Sequence, residues 1–171
     1  DSFNLEGLYG KEVLVGRQGG MPALNFINAL KKMNVDSKKI NLNYSVEFAA
    51  LSGSFIGGMG DYVNLFEPTA TKLEKENFGY VVASIGKYSG EMPYTTYYAR
   101  KSYIENNKES IEKFRRALNK GLEFVKNNEP EVVAEAIHNQ FKDESLNNLT
   151  TMIKRYKDYD GVKQKLKTYS K

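Results

Sequence analysis

The residues best suited to bind a small charged molecule lie together in one turn of the sequence, GRQGG, before a helix that opens at Met21. Arg17 supplies a planar, permanently charged donor group, and Gln18 places an amide beside it. Gly19 and Gly20 allow a ligand to approach the backbone, and the first N–H groups of the helix are unpaired. These residues, from Arg17 to Met21, are predicted to bind a carboxylate, a sulfonate or a similar polar group. The alternative is an ordinary strand-to-helix turn with an arginine directed to solvent, and this stretch alone favours neither.

Three further side chains are candidates because they follow predicted strands, at the end of a parallel sheet where ligands bind in open α/β folds. Glu67 follows the third predicted strand. A carboxylate beside Arg17 would suit a ligand with an amine or a ring N–H, or would pair with the arginine itself. Tyr44 and Ser45 end the second predicted strand. Ligand contact is one explanation for them, and core packing and capping of the next helix is the other.

The composition excludes several kinds of chemistry. The chain has no cysteine, and it has a single histidine, His138, in a helix-end sequence typical of a surface or capping residue. A thiolate site, a multi-histidine metal site and a cysteine nucleophile are therefore excluded. Asp61 and Glu67 are separated by a predicted strand, which is a poor spacing for a catalytic acid–base pair. We therefore predict a protein that binds without catalysing a reaction and uses no metal or cofactor.

The charge pattern argues against a nucleic-acid partner. The formal net charge is +4, and the excess of lysine and arginine falls in the second half of the chain. In that half the basic residues alternate with glutamates, as from Glu105 to Arg116. Such alternation is typical of a solvated helix face rather than of a basic binding patch.

The hydrophobic pattern predicts an α/β block followed by helices. Strands are predicted at residues 13–15, 40–45, 61–66 and 80–85, the last nearly all apolar and so buried on both faces. Helices are predicted from Met21 and at residues 47–55 and 69–76. Residues 94–99 are rich in strand formers. From Ser102 the spacing predicts three amphipathic helices, the first ending near residue 127, the second opened by Pro130 and the third beginning near Leu146.

Three segments of the sequence, in this order and spacing, resemble one family. They are the GRQGGMP loop, the GDYVNLFEPTA segment and the EMPYTTYYARKSYI segment. The chain resembles, over about residues 3–160, the substrate-binding proteins of ABC importers. It is most similar to the branch that handles nitrate, sulfonates, taurine and pyrimidine precursors of thiamine.

The resemblance implies a fold and a division of the chain. The expected fold is α/β: a type II periplasmic-binding-protein-like lobe with a doubly wound, mainly parallel sheet, followed by an all-helical C-terminal segment. Residues 1–90 would form the ligand-binding second lobe of the family. Residues 91–171 would supply a return strand and the helices that normally complete the first lobe. The family's opening segment, which forms most of the first lobe, is absent from this sequence.

The resemblance also implies a function. Such a protein captures a small polar or anionic organic solute between two lobes and delivers it to an ABC permease in the membrane. It would be extracytoplasmic, either periplasmic or lipid-anchored on the outer face of the cell membrane. Thiamine-precursor synthases share the fold, but they need a reactive histidine in the cleft, which His138 is badly placed to supply. The alternative is a partner-binding or oligomerisation module without a small-molecule ligand, because a half-molecule would self-associate through its exposed lobe interface.

Overall fold

The computed structural model describes residues 3–90 and 94–159. Its contacts divide the chain into two compact units, Asp1–Met92 and Pro93–Lys171. The first unit is mixed α/β. Its strands are β1 (Glu12–Leu14), β2 (Asn41–Asn43) and β3 (Tyr62–Val63); its α-helices are α1 (Met21–Lys32), α2 (Leu51–Ile56), α3 (Thr69–Lys75) and α4 (Ile85–Ser89); its 3-10 helices are Leu5–Leu8, Ser37–Lys39 and Phe48–Ala50.

The three strands form a parallel sheet in the order β2-β1-β3. Leu14 lies beside Asn43 on one side and beside Val63 on the other. All three strands therefore end at the same edge of the sheet, and the segments that follow them begin close together. Central β1 is fully buried at Val13 and Leu14, which explains its short, apolar sequence.

Helix α1 begins and ends as its sequence predicts. Gly20 is the N-cap residue, and Pro22 stands in the first turn, where its missing N–H costs no helix bond. The helix ends at Lys32, after which Asn34 takes a positive φ of 57°. Its buried face joins the apolar core of the unit, which consists of Leu5, Leu8, Val13, Val15, Ala23, Phe26, Leu30, Val35 and Ile40.

The predicted fourth strand at residues 80–85 is wrong. Residues 80–84 form no regular element, and helix α4 begins at Ile85. The Val81 N–H donates to Oε1 of Glu74 at 3.0 Å, so this backbone donor is bonded to a side chain instead of to a neighbouring strand. The segment is also not buried, because the exposed fractions are 88% for Tyr80 and 47% for Val82.

The predicted return strand is not found either. Glu91–Pro93, the first residues of that segment, lie outside the described residues. Residues 94–100 contain no strand, and the ring of Tyr97 instead contacts Phe114 edge-on, with centroids 5.2 Å apart. Strand-forming residues need a neighbouring strand to pair with, and no described strand lies in the second unit.

The second unit is helical, as predicted. It contains α5 (Lys101–Asn106), α6 (Lys108–Asn127), α7 (Pro130–Ile137), α8 (Leu146–Tyr159) and the 3-10 helix His138–Gln140. Its core consists of Val133, Ala134, Leu149, Met152 and Ile153. None of the twenty residues of α6 is buried, although its apolar residues form one stripe. In the two described ranges, no helix is both long enough and apolar enough to cross a membrane.

Candidate functional site

The GRQGG turn connects β1 to α1 through two residues with positive φ. Gly16 has a φ of 78° and Gly19 a φ of 77°. The Gly20 N–H donates to the Arg17 carbonyl at 3.1 Å, which closes a four-residue turn with glycine at its third position. Gly16 is also packed closely, since a Cβ there would lie 3.3 Å from Cδ2 of Phe48. The glycines at these positions are therefore required by the turn itself, whether or not a ligand binds.

The turn leaves donors uncovered at the N-terminus of α1. Arg17 and Gln18 are exposed, as is Gly19. The Gly20 carbonyl accepts the first helical bond, from the Leu24 N–H at 3.0 Å, and no side chain caps the helix. Arg17 forms no ion pair with any residue in the described part of the chain. The arginine and the first turn of α1, which begins at Met21, can therefore both face an anionic or polar group.

Tyr44 and Ser45 lie directly after β2, at the same edge of the sheet. Tyr44 is half-buried and packs against the core of the first unit. Asn43 holds Ser45 in place, because its Oδ1 accepts both the Ser45 N–H at 2.9 Å and the Ser45 hydroxyl at 2.7 Å. The Ser45 oxygen keeps its lone pairs, so it can still accept a hydrogen bond from a ligand.

Glu67 follows β3 and is half-buried. Its Oε2 accepts the Thr71 N–H at 2.9 Å, so this carboxylate caps the first turn of α3. Thr71 itself is fully buried. Of the two alternatives for Glu67, the ion pair with Arg17 is not formed. Capping occupies one oxygen of Glu67.

Contacts between the three loops bring the predicted residues to one edge of the sheet. The rings of Phe48 and Phe66 lie 4.6 Å apart, which joins the segment after β2 to the segment after β3. Nδ2 of Asn64 donates to the Pro22 carbonyl at 3.1 Å, which joins the segment after β3 to α1. These two contacts connect the segments that carry Arg17–Met21, Tyr44–Ser45 and Glu67.

Sequence reasoning did not select four residues that shape this edge: Asn43, Asn64, Phe48 and Phe66. The two asparagines stand at the ends of the outer strands, and that position is the signal that could have identified them. Phe48 falls in the helix predicted at residues 47–55, and Phe66 ends the strand predicted at residues 61–66. Phe66 is 41% exposed, so the pair offers an apolar surface beside the polar turn.

The single histidine, His138, lies in the second unit. Nε2 of His138 lies 3.2 Å from the Glu144 carbonyl, which fits the predicted structural role. In the ranges that the structure describes, no three histidine, aspartate or glutamate side chains are grouped as a metal site would require.

Comparison with known proteins identifies the class. The model of the family described as NMT1/THI5 like matches residues 5–132, and the chain belongs to this family. The resemblance stated from the sequence is thereby confirmed. The mixed α/β fold, with its small parallel sheet, is compatible with a periplasmic-binding-protein-like fold.

A relative in Bacillus subtilis (strain 168) carries the name "Putative binding protein YtlA". It is 39% identical to this chain over 158 residues, which are 92% of this chain and 47% of the relative. The chain therefore spans about half the length of that relative. No solved structure matches the chain. The name of this relative describes it as a binding protein.

Proposed function

We propose that this chain is the solute-binding component of an ABC importer and carries one wall of the solute site. The observation that supports the proposal most directly is the edge of the sheet after β1. There Arg17, with no ion-pair partner in the described ranges, adjoins an uncapped helix N-terminus. Both features favour a negatively charged or strongly polar group. The ligand class is a small polar or anionic organic solute, such as a sulfonate, taurine, nitrate or a pyrimidine precursor.

Each predicted site residue has a role in this proposal. Arg17 and Gln18 donate side-chain hydrogen bonds, and Gly19, Gly20 and Met21 bring the backbone to the ligand. Ser45 and Tyr44 would contact the solute from the β2 side. Glu67 would accept a hydrogen bond from an amine or ring N–H of the solute. The Phe48–Phe66 pair would pack against the apolar part of an organic solute.

The opposite wall of the site is proposed to come from sequence outside these 171 residues. The relative is about twice as long as the matched region, and substrate-binding proteins of this class close two lobes around the ligand. We further propose a doubly wound sheet, completed in the longer protein, with residues 91–171 helping to form the first lobe. The protein would act outside the cytoplasm, free or lipid-anchored, and pass its solute to a membrane permease.

A thermal-shift screen tests the proposal. Methanesulfonate, taurine, nitrate and 4-aminopyrimidine are added to the longest natural polypeptide that contains these residues, and to the 171 residues alone. At least one compound should raise the Tm of the longer protein, since a ligand at one hundred times its Kd stabilises by about 2.7 kcal/mol. The 171 residues alone should show a weak shift or none. Tight binding by the 171 residues would contradict a two-wall site.

Arg17→Ala tests the position of the site. A hydrogen bond to a charged group contributes about 1.5–3 kcal/mol, so affinity should fall roughly 10- to 100-fold. Arg116→Ala is the matched control, because it removes an equally exposed arginine from α6. If both variants bind as tightly as the unmodified protein, the GRQGG turn is not the site.

A second candidate function, an oligomerisation or partner-binding module, is favoured by one observation. Helix α6 carries an apolar stripe with no fully buried residue, and Phe114 on this stripe is 48% exposed. Apolar surface of this kind marks an interaction site. Sedimentation equilibrium separates the two functions. Self-association that Phe114→Ser abolishes, together with no response to the four compounds, would favour this candidate.

A further inference from the structure

The Asn64 side chain makes a hydrogen bond between the segment after β3 and the first turn of α1. Asn64 follows β3, and its backbone N–H donates to the Leu14 carbonyl at 2.9 Å. The position of the residue is therefore fixed by the central strand. Its Nδ2 then donates to the Pro22 carbonyl at 3.1 Å, across 42 residues of sequence.

The bond from Asn64 to Pro22 is additional to the regular bonds of the helix. In an α-helix the carbonyl of residue 22 accepts the N–H of residue 26, and a carbonyl oxygen has a second lone pair. Pro22 would thus be satisfied without Asn64. What the amide adds is a fixed distance between the sheet and the first turn of α1, which the helix cannot provide by itself.

The first turn of α1 needs such a support. No side chain caps the helix, and the N-cap residue is a glycine, whose backbone is the most flexible of all residues. The first helical bond runs from the Leu24 N–H to the Gly20 carbonyl, as in any α-helix with this N-cap, so the N–H groups of the first turn have no partner within the helix. The first turn therefore depends on contacts with other elements, which are the packing of Ala23 in the core and the bond from Asn64.

We propose that Asn64 is a positioning residue for the solute site: it holds the first turn of α1, and with it the Gly19–Met21 backbone, at the edge of the sheet. This inference rests on the proposed function. Asn64 need not touch the solute to act in this way. Preorganised donors bind more tightly than mobile ones because less freedom is lost on binding.

Asn28 provides a matched control on the same helix. Its Nδ2 also donates to a backbone carbonyl, that of Ser89 at 3.2 Å, and the bond is similarly half-buried. It lies near the middle of α1 rather than in the first turn. Asn64→Leu and Asn28→Leu each remove one amide-to-carbonyl bond and keep the number and branching of the side-chain heavy atoms. Asn64→Ala serves as a second variant should leucine not be accommodated.

The first measurement is amide hydrogen exchange without any ligand, on the longest natural polypeptide that contains these residues. Both Asn64 variants should accelerate exchange of the Leu24 amide at least fivefold relative to the unmodified protein. Asn28→Leu should change it less than twofold. Equal acceleration in the Asn64 and Asn28 variants, or no acceleration in the Asn64 variants, would overturn the inference.

The second measurement is the Kd for each of methanesulfonate, taurine, nitrate and 4-aminopyrimidine. A compound that binds the unmodified protein should bind the Asn64 variants at least tenfold more weakly, and Asn28→Leu within threefold. Unchanged affinity in the Asn64 variants would overturn the positioning role. If none of the four compounds binds the unmodified protein, the proposed function fails, while Leu24 exchange still decides whether Asn64 holds the first turn.

Discussion

Replacing Gly60 with alanine should destabilise the first unit more than any other single added methyl group at its glycines. Gly60 has a φ of 74°, and a Cβ there would lie 2.8 Å from Cγ and 3.1 Å from Cδ2 of Leu14. Leu14 is fully buried in the central strand, so it has no space to move into. The left-handed conformation costs roughly 1–2 kcal/mol and overpacking a further 1–3 kcal/mol, so the expected loss is about 2–5 kcal/mol.

Gly10→Ala is the control that separates these two costs. Gly10 has the same φ of 74°, and a Cβ there meets nothing within 4 Å. It should lose only the conformational part, roughly 1–2 kcal/mol. The Val15 amide, which donates to the Asn43 carbonyl at 3.1 Å, reports opening of the sheet by hydrogen exchange.

A tenfold increase in the population of the open state corresponds to about 1.4 kcal/mol. The Val15 amide should therefore exchange about 5- to 30-fold faster in Gly10→Ala, and roughly 30-fold to more than 1,000-fold faster in Gly60→Ala. Equal exchange rates of the Val15 amide in the two variants would show that Leu14 can move away from the added Cβ without a loss of stability. The close approach at Gly60 would then be no constraint on the sheet.

Two further predictions concern single side chains. Oδ1 of Asn25 is buried without a hydrogen-bond partner among the described residues, so Asn25→Leu should raise the free energy of unfolding by about 1 kcal/mol. Asn28→Leu loses the bond to the Ser89 carbonyl and should lower the free energy of unfolding. Urea unfolding measures both variants, and a lower free energy of unfolding for Asn25→Leu would contradict the argument. Burial raises the pKa of Tyr94 from 10.0 to about 12, and the negative charge of the Tyr156 phenolate makes a smaller contribution in the same direction. The unfolded chain then binds fewer protons than the folded one between pH 10 and 12, so stability should fall with rising pH in this window and not below it. From pH 10 to 12 the Tm of Tyr94→Phe should fall less steeply than the Tm of the unmodified protein. An identical fall in the two proteins would show that the pKa of Tyr94 is not raised.

Signals that act within a few residues of the sequence allowed several elements of both units to be predicted. The GRQGG turn and Pro22 mark the end of β1 and the start of α1, because glycine and proline restrict or release φ at their own positions. The α6 and α7 helices follow equally from local spacing and from Pro130. These elements were found within a few residues of their observed bounds.

The failures concern features that depend on distant parts of the chain. The apolar run at residues 80–84 resembles a buried strand, but a strand requires a neighbour, and the Glu74 side chain takes the Val81 N–H instead. The roles of Asn43 and Asn64 depend on partners 31 and 42 residues away, at Glu12 and Pro22. Their positions at strand ends mark them as candidates, but no spacing rule within one segment could have revealed these two distant partners.

One inference accounts for two separate features of the structure. The candidate site offers donors from one edge of a sheet, whereas a solute that is held specifically is surrounded on most of its surface. Helix α6 has an apolar stripe in which the described part of the second unit buries no residue fully. The relative in Bacillus subtilis is about twice as long as the region it shares with this chain. Additional chain in the longer protein would both cover the α6 stripe and supply the wall of the site that faces Arg17. We therefore expect the longer protein to bind the solute and to protect α6 from hydrogen exchange. These 171 residues alone should do neither.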